Sequence, residues 1–216
     1  FRSKKYIPFQ VVQTMRGCPY PCEFCSVSTA NGTTMRFRPV DEVLAELRSL
    51  GRLVMFADDN MMIHRKYSAE LFTRMAELGK HWIGQCSLAA VKRIENVRLM
   101  AESGCKALFI GFEGIGEGTL QHTGKRQNRP SQYREVLDML HDHGISTWGS
   151  FVFGFDTDDR EVFDRTVEFG IEMQLTMALF AILTPYPGTK LYRRLHAEGR
   201  LTDARWWLRG DHDAGS

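Results

Sequence analysis

Short apolar segments alternate with amphipathic helical segments along most of this chain, and this alternation is the feature that most limits its fold. One clear unit runs from an apolar strand at residues 53–57 into a helix that is expected to stop at Gly79. Because a helix between two such strands returns the chain to the same end of the sheet, the strands are expected to be parallel. The pattern alone allows either a doubly wound sheet or a curved barrel.

The alternation predicts six strand–helix units in one α/β domain. The predicted strands cover residues 9–15, 53–57, 82–87, 105–112, 145–153 and about 175–183. Each helix is expected to end at a glycine, and these glycines are Gly51, Gly79, Gly104, Gly144, Gly170 and Gly199. Since ligands of parallel α/β folds bind where the strands end, the residues after each strand are the first candidates for a functional site.

A group of three cysteines follows the first predicted strand. Cys18, Cys22 and Cys25 lie within eight residues, and Pro19 and Pro21 stiffen the loop that carries them. A structural zinc site needs four protein ligands, and no fourth cysteine or histidine stands nearby in the sequence. Three thiolates instead suit an iron–sulfur cubane that keeps one iron open for another ligand.

Composition bears on the partners and the location of the protein. The chain of 216 residues carries 28 Lys and Arg against 26 Asp and Glu, which gives no electrostatic reason to expect a nucleic-acid partner. Its longest apolar run, residues 177–183, is far shorter than the roughly 20 residues of a membrane span. Two further cysteines, Cys86 and Cys105, are too few for a disulfide framework, so a cytoplasmic location is expected.

The cysteine spacing, with Phe24 before the third cysteine, resembles the cluster loop of the radical S-adenosylmethionine (radical SAM) enzymes. The resemblance implies that Cys18, Cys22 and Cys25 bind a [4Fe-4S] cluster, with S-adenosylmethionine (SAM) on the fourth iron. It implies that SAM is split to methionine and a 5′-deoxyadenosyl radical, which abstracts hydrogen from a substrate. It also implies a six-unit (βα)6 partial TIM barrel and a low-potential electron donor such as flavodoxin or ferredoxin.

The resemblance further assigns residues to SAM. Asp58, Asp59 and Asn60 follow the second strand, where the family holds the methionyl amino group, usually with a Gly-Gly-Glu-like segment. A solvated turn is the alternative for this tripeptide, and which of the three residues contacts SAM stays open. Glu113, after the fourth strand, is expected to accept hydrogen bonds from the ribose or the amino group, although a salt bridge at the rim suits it as well.

Phe151 and Gly154, on the fifth strand, resemble the adenine side of the family's SAM site, where a glycine allows close backbone approach. A core strand followed by a loop glycine is the alternative. Lys125 lies in the connection after the fourth strand and could pair with the SAM carboxylate, but a solvated basic loop is the favoured account. The resemblance assigns no catalytic residue beyond the cluster and SAM.

A closer resemblance, to radical SAM proteins linked to a cobalamin-binding domain, rests on residues 56–60, 109–113, 125–128 and 186–189. It implies a methylase-like reaction on a small-molecule or lipid-like substrate, with cobalamin on an amino-terminal domain. Residues 1–216 are accordingly expected to be a single core domain cut from a longer chain. A radical SAM cyclase or methylthiotransferase is the alternative within the family, and a non-catalytic iron–sulfur or zinc-binding module is the alternative outside it.

Overall fold

The computed structural model describes residues 9–20, 22–116, 120 and 128–208. The strands are β1 (Gln10–Val12), β2 (Met15–Arg16), β3 (Arg36–Phe37), β4 (Leu53–Phe56), β5 (His81–Cys86), β6 (Cys105–Glu113), β7 (Ser146–Phe153) and β8 (Met177–Ile182). β2 and β3 pair antiparallel into a short ribbon, and the other six strands form one sheet. Neighbours in that sheet are parallel and follow one another in chain order, so the predicted parallel α/β architecture is confirmed.

Helices connect the strands of the sheet. They are α1 (Val27–Ala30), α2 (Val40–Ser49), α3 (Arg65–Met75), α4 (Leu88–Val91), α5 (Ile94–Glu102), α6 (Tyr133–Asp142), α7 (Val162–Glu172) and α8 (Lys190–Ala197). Short 3-10 turns lie at Ala76–Leu78, Pro130–Gln132 and Trp206–Leu208. The longer helices are amphipathic, and α2, for example, buries Val43, Leu44 and Leu47. No helix in the described ranges is long and apolar enough to cross a bilayer.

The core lies between the helices and one face of the sheet. Trp82 of β5 is fully buried there and stacks on Phe72 of α3, with ring centroids 5.0 Å apart. Phe112 of β6 stacks on Phe151 of β7 in the same way, at 5.5 Å. Burial of one such side chain stabilises a fold by about 1.5–3 kcal/mol, so these contacts hold the helical layer on the sheet.

The opposite face of the sheet, which we call the inner face, keeps large apolar side chains partly exposed. Strand register aligns the side chains of this face in three rows. The first row holds Val11, Met55 and Ile83, and the second holds Gln85, Phe109, Trp148 and Met177. The third holds Ser150 and Leu179 beside Gly111. The exposed fractions of Val11, Met55, Met177 and Leu179 are 60%, 42%, 39% and 40%. Because both faces of a parallel sheet are normally covered, the inner face is a surface suited to a ligand or a further protein segment.

Structural elements from the two edges of the sheet are in contact, which shows that the sheet is curved. The Leu191 N–H at the start of α8 donates to the Glu23 carbonyl oxygen of the cysteine loop at 3.0 Å. The Thr29 hydroxyl donates to the Gly188 carbonyl oxygen at 3.3 Å. A flat sheet of six strands would hold its edge strands about 24 Å apart. Contacts between the loop after β1 and the helix after β8 therefore make this sheet a partial barrel rather than a flat, doubly wound sheet.

The first strand is shorter than the sequence predicts. β1 ends at Val12, and residues 15–16 pair instead with residues 36–37 in the ribbon. The N–H groups of Thr14 and Met15 donate to the buried Asp58 carboxylate, at 2.6 and 2.9 Å, rather than to a neighbouring strand of the main sheet. The chain therefore leaves the sheet after Val12. The prediction that the first strand reaches Met15 is therefore wrong.

The glycine signals place most helix ends correctly. Four of the predicted glycines follow their helices with a positive φ, namely Gly79, Gly104, Gly144 and Gly199. The predicted end at Gly170 is wrong, because α7 continues through it to Glu172 and Gln174 takes the left-handed φ of 52°. The Gly170 carbonyl oxygen instead accepts the Leu175 N–H at 3.0 Å, which closes the turn beyond the helix.

Lys125, for which a contact with SAM was considered, lies outside the described residues.

We expect Gly104→Ala to destabilise the fold far more than Gly144→Ala. Both glycines have positive φ, at +96° and +67°, and a left-handed alanine costs about 1 kcal/mol. A Cβ at Gly104 would also lie 1.9 Å from the Lys80 carbonyl oxygen, whereas a Cβ at Gly144 would meet nothing within 4 Å. Urea unfolding should show a loss of about 1 kcal/mol for Gly144→Ala and about 3 kcal/mol or more for Gly104→Ala. Equal losses would contradict this account of the packing.

Candidate functional site

A cavity of about 120 Å³ lies at the carboxyl ends of β4, β5 and β6, where the sequence predicts a site. All three cysteines of the loop after β1 line it. Asp59, Asn60 and Glu113 line it as well, so six of the nine predicted site residues meet in one place. Gln85 and Phe109, to which the sequence assigned no role, complete its wall on the inner face.

The cysteine loop presents its thiols at the wall of this cavity. Cys18 and Cys25 are half-buried and Cys22 is buried. In the ranges that the structure describes, no three His, Cys, Asp or Glu side chains converge closely enough to hold one metal ion. Each thiolate of a cubane binds a different iron, so three spaced thiols on one loop fit a cluster better than a single ion. The sulfur donors also favour iron–sulfur ligation over Ca²⁺ or Mg²⁺, which prefer oxygen.

The last helix of the described chain anchors the cysteine loop. Glu23 is held through its backbone by Leu191, as described above, and through its carboxylate by Arg194 Nε at 2.6 Å. Phe24 packs edge-to-face on Phe155, with ring centroids 5.9 Å apart. These contacts lie between the second and third cysteines in the sequence, so they fix the part of the loop that must present two thiols.

Asp58 lies behind the cavity rather than in its wall. Its Oδ1 accepts the N–H groups of Thr14 and Met15, and its Oδ2 accepts the Thr14 hydroxyl at 2.7 Å. The side chain is buried, and burial raises the pKa of Asp58 above its usual value, although these hydrogen bonds oppose the rise. Asp58 thus ties the end of β4 to the chain that leads into the cysteine loop.

Asp59 is the member of the tripeptide that joins the cavity to the cysteine loop. Its Oδ2 accepts the Gly17 N–H at 3.3 Å and the Asn31 side-chain amide at 3.1 Å, so it contacts residues on both sides of the three cysteines. The Gln85 side-chain amide donates to the Asp59 carbonyl oxygen at 2.9 Å. Strand alternation in the sequence could have identified Gln85. It lies two residues after Ile83, so the two side chains point to the same face of the sheet.

Asn60 and Cys86 form the deeper part of the wall. The Asn60 side-chain oxygen accepts the Ser87 N–H at 2.8 Å, which connects the end of β4 to the end of β5. Cys86 is a fourth thiol at the cavity, and burial raises the pKa of Cys86 to about 12. Cys86 lies at the end of β5 rather than on the cysteine loop, and it is not among the three cysteines whose spacing predicts the metal site.

Glu113 lies at a bulge in β6 and lines the cavity. The register between β6 and β7 shifts between Gly111 and Glu113, and Glu113 has a φ of 64°. A glutamate in this conformation costs about 1–2 kcal/mol, so the surrounding structure must hold it. The Asn128 side-chain amide donates to the carbonyl oxygens of Gly111 at 3.0 Å and Phe112 at 3.2 Å, and it thereby holds the bulge. Sequence reasoning assigned no role to Asn128, because such a bond has no periodic signal.

The two residues predicted for the adenine side differ in their placement. Phe151 is 1% exposed, and its ring packs among aromatic side chains beneath the helices. Gly154 has a φ of 105°, and its N–H donates to the Asp158 carboxylate at 2.8 Å. A second cavity of about 310 Å³ lies beside this turn and shares Glu113 with the first cavity. Val152, Phe153 and Asp158, on either side of the turn, line this cavity, whereas the Phe151 ring packs in the core.

Sequence comparison finds a family and relatives that match most of the chain. Residues 12–170 match the family described as the radical SAM superfamily. The chain is 35% identical over 208 residues to bacteriochlorophyllide d C-12(1)-methyltransferase of Chlorobaculum tepidum. This match covers 93% of this chain and 46% of that protein. It is 29% identical over 201 residues to hopanoid C-2 methylase of Rhodopseudomonas palustris, with 88% of this chain and 38% of that protein covered. The chain spans less than half the length of these relatives.

Comparison with solved structures supports the fold. The radical S-adenosylmethionine methyltransferase TsrM from Kitasatospora setae, solved with cobalamin and a [4Fe-4S] cluster bound, superposes with a TM-score of 0.81. The match covers 88% of this chain and 39% of that chain, at 18% sequence identity. The expected radical SAM partial barrel is thus confirmed.

We expect Asp58→Ala and Asp59→Ala to differ in stability. Asp58→Ala leaves two buried N–H groups without their acceptor, and it should lower the free energy of unfolding by about 3 kcal/mol. Asp59 accepts two longer, partly exposed bonds, so Asp59→Ala should cost about 1 kcal/mol or less. Urea unfolding of the metal-free protein measures both losses. A larger loss for Asp59→Ala would contradict the structural role given to Asp58.

Proposed function

The chain belongs to the radical SAM superfamily, and on that premise we propose that it is the core of a methylase-like enzyme acting on a large apolar ring system. The observation that carries the proposal is that three cysteines and two carboxylates, Asp59 and Glu113, line one cavity that opens onto an apolar inner face. When bound, a [4Fe-4S] cluster and SAM together supply a 5′-deoxyadenosyl radical that can abstract hydrogen.

The chain's own residues bind and orient these groups. Cys18, Cys22 and Cys25 are the proposed cluster ligands, because they share one loop and one cavity wall. We assign Asp59 and Asn60 to the methionyl end of SAM, since both line the cavity beside the cysteines. Asp58 is assigned a supporting role instead, because its two carboxylate oxygens already accept hydrogen bonds from the chain before the cysteine loop.

Glu113 is the proposed link between the two ends of SAM. It lines both the cysteine cavity and the second cavity beside Gly154. A carboxylate at that junction can accept hydrogen bonds from ribose hydroxyls, which lie between the methionyl and adenine groups of SAM. We place the adenine against Phe153, just before Gly154, and the half-buried side chain of Val152, because the Phe151 ring faces the core.

The inner face supports an apolar substrate. Gln85 and Phe109 of the cavity wall share one row with Trp148 and Met177, so the apolar surface continues directly from the proposed cluster. The relatives named above act, by their names, on a bacteriochlorophyllide and on hopanoids, which are both large and mostly apolar. Burial of apolar surface contributes about 25 cal/mol per Å², so such a molecule would gain affinity from this face.

Cobalamin is the proposed second cofactor. The support is the likeness in fold to TsrM, which was solved with cobalamin bound. The sequence contains no Asp-x-His-x-x-Gly segment to supply a lower cobalt ligand, so we assign cobalamin to an amino-terminal domain outside residues 1–216. Residues 1–216 are, on this proposal, one core domain of the longer enzyme.

We expect Cys22→Ala and Cys25→Ala each to abolish cluster binding and SAM cleavage. Each substitution removes one of the three protein ligands of the cubane, so the cluster should not persist during reconstitution. The measurements are iron content, visible absorbance and 5′-deoxyadenosine formed with dithionite as the reductant. Cys105→Ala is the matched control, because Cys105 is a buried thiol that does not line the cavity. Full 5′-deoxyadenosine formation by either loop variant would overturn the proposed function.

We expect Trp148→Ala to weaken binding of an apolar ring system about tenfold, since an aromatic stacking contact contributes about 1 kcal/mol or more. Protoporphyrin IX is a suitable probe, and its binding can be followed by quenching of tryptophan fluorescence. Trp207→Ala is the matched control, because Trp207 is 42% exposed and lies in the 3-10 turn beyond α8. An equal effect of the two substitutions would contradict the assignment of the inner face to the substrate.

A further inference from the structure

The cysteine loop, α8 and the turn at residues 154–158, which follows β7, meet around a gap. Phe24 of the loop packs on Phe155 of the turn, with ring centroids 5.9 Å apart. The Leu191 N–H of α8 donates to the Glu23 carbonyl oxygen of the loop at 3.0 Å. A cavity of about 230 Å³ lies between the three segments, and residues from each of them line it. Because close packing does not fill this gap, side chains that cross it are needed to fix the distance between the loop and the turn.

Arg194 of α8 crosses this gap with its guanidinium group. Its Nε donates to the Glu23 carboxylate at 2.6 Å, and one of its terminal nitrogens donates to the Asp156 carboxylate at 3.1 Å. Glu23 lies between the second and third cysteines, and Asp156 lies two residues after Gly154 in the turn. The planar fork of an arginine suits such a double contact, which a point charge cannot make in the same way. Arg194 therefore joins the cysteine loop directly to the turn after β7.

The two ends of this connection are held differently. Arg200, just beyond α8, also donates to the Asp156 carboxylate, at 3.1 Å. The guanidinium groups of Arg200 and Arg194 hold the pKa of Asp156 at about 2, so this carboxylate stays charged at neutral pH. Within the described part of the chain, Glu23 forms its ion pair with Arg194 alone. Loss of Arg194 would therefore free the Glu23 side chain, whereas Asp156 would keep a partner.

The helix that carries Arg194 is a firm support. The Thr189 hydroxyl accepts the Tyr192 N–H at 3.1 Å and donates to the Tyr186 carbonyl oxygen at 2.6 Å, so the first turn of α8 is capped. The Tyr192 hydroxyl donates to the Ala204 carbonyl oxygen at 2.6 Å, which ties the helix to the chain that follows it. Arg194 thus extends from a helix that is itself held on two sides.

We propose that Arg194 is a positioning residue, which fixes the distance between the cysteine loop and the turn after β7 so that both ends of one SAM molecule meet a preformed site. The inference rests on the proposed function, which places the methionyl end of SAM beside the cysteines and the adenine beside Gly154. A ligand that spans two segments loses affinity when binding must first bring those segments into place. Arg194 removes that cost, because it holds the loop in register with the turn before SAM arrives.

The test compares Arg194→Met with Arg193→Met in the full-length protein with its reconstituted cluster. Arg193 is the matched control, because it is the neighbouring residue of α8 and its guanidinium donates to the neutral Gly188 carbonyl oxygen at 2.9 Å. Both substitutions remove one positive charge and keep a good helix former. The first measurement is hydrogen exchange without SAM, followed by mass spectrometry. We expect peptides that cover residues 22–26 to exchange about fivefold faster in Arg194→Met and at the wild-type rate in Arg193→Met. Residues 154–158 should exchange at the wild-type rate in both variants, because Arg200 still holds Asp156.

The second measurement is 5′-deoxyadenosine formation with dithionite as the reductant. In Arg194→Met, the KM for SAM should rise about fivefold while kcat stays within about twofold of wild type, because the lost contact serves binding rather than the chemical step. Iron content should equal that of the wild type, since all three cysteines remain. Arg194→Lys should keep the raised KM, because a single ammonium group does not span the two carboxylates as the guanidinium does. Arg193→Met should match the wild type in KM and kcat.

Several outcomes would overturn the positioning role while leaving the proposed function intact. They are an unchanged KM for SAM in Arg194→Met, an equal rise in Arg193→Met, and full recovery in Arg194→Lys. A lower kcat at an unchanged KM, or a loss of iron from Arg194→Met, would also overturn it, because the arginine would then act on the chemical step or on cluster retention. A wild-type protein that does not cleave SAM would instead overturn the proposed function, and the hydrogen-exchange comparison would still show whether Arg194 holds the loop.

Discussion

Parallel strand pairing is the constraint on which the rest of this structure depends. It brings the carboxyl end of every strand in the main sheet to one rim, so residues far apart in the sequence become neighbours. Cys18, Asp59 and Glu113 line one cavity although they follow three different strands. Curvature adds to this effect, because it brings α8 from the far edge to support the cysteine loop at Glu23. The site is thus a consequence of strand direction and curvature.

Sequence reasoning recovered the features whose signals are local. Apolar periodicity gave the strands and helices, and left-handed glycines such as Gly104 marked the ends of several helices. The cysteine spacing is likewise local, and it located the proposed metal site. The reasoning did not separate Asp58 from Asp59, because their roles depend on hydrogen bonds to residues more than 40 positions away. It also missed Asn128, whose hold on the β6 bulge exists only once the chain is folded.

The inner face shows how one strand serves two purposes. In β6, Phe109 and Glu113 both line the cavity, yet one is apolar and the other carries charge. Alternation from Phe109 through Gly111 to Glu113 carries the inner face to the end of β6, where the bulge lies and the carboxylate lines the cavity. The strained conformation of Glu113 lies at the end of the strand. An apolar wall and a charged rim can therefore adjoin without placing a charge inside the core.

The charge balance of the cavity indicates the kind of ligand that it favours. Its described wall holds three loop cysteines and the carboxylates of Asp59 and Glu113, and it includes no Lys, Arg or His. If the cysteines bind as thiolates, negative charge accumulates in a small, partly enclosed space, where repulsion is stronger than in water. A positively charged group is then required to make the arrangement favourable. Iron ions and the sulfonium and ammonium groups of SAM meet that requirement, so loading the site and ordering its loop are expected to be coupled.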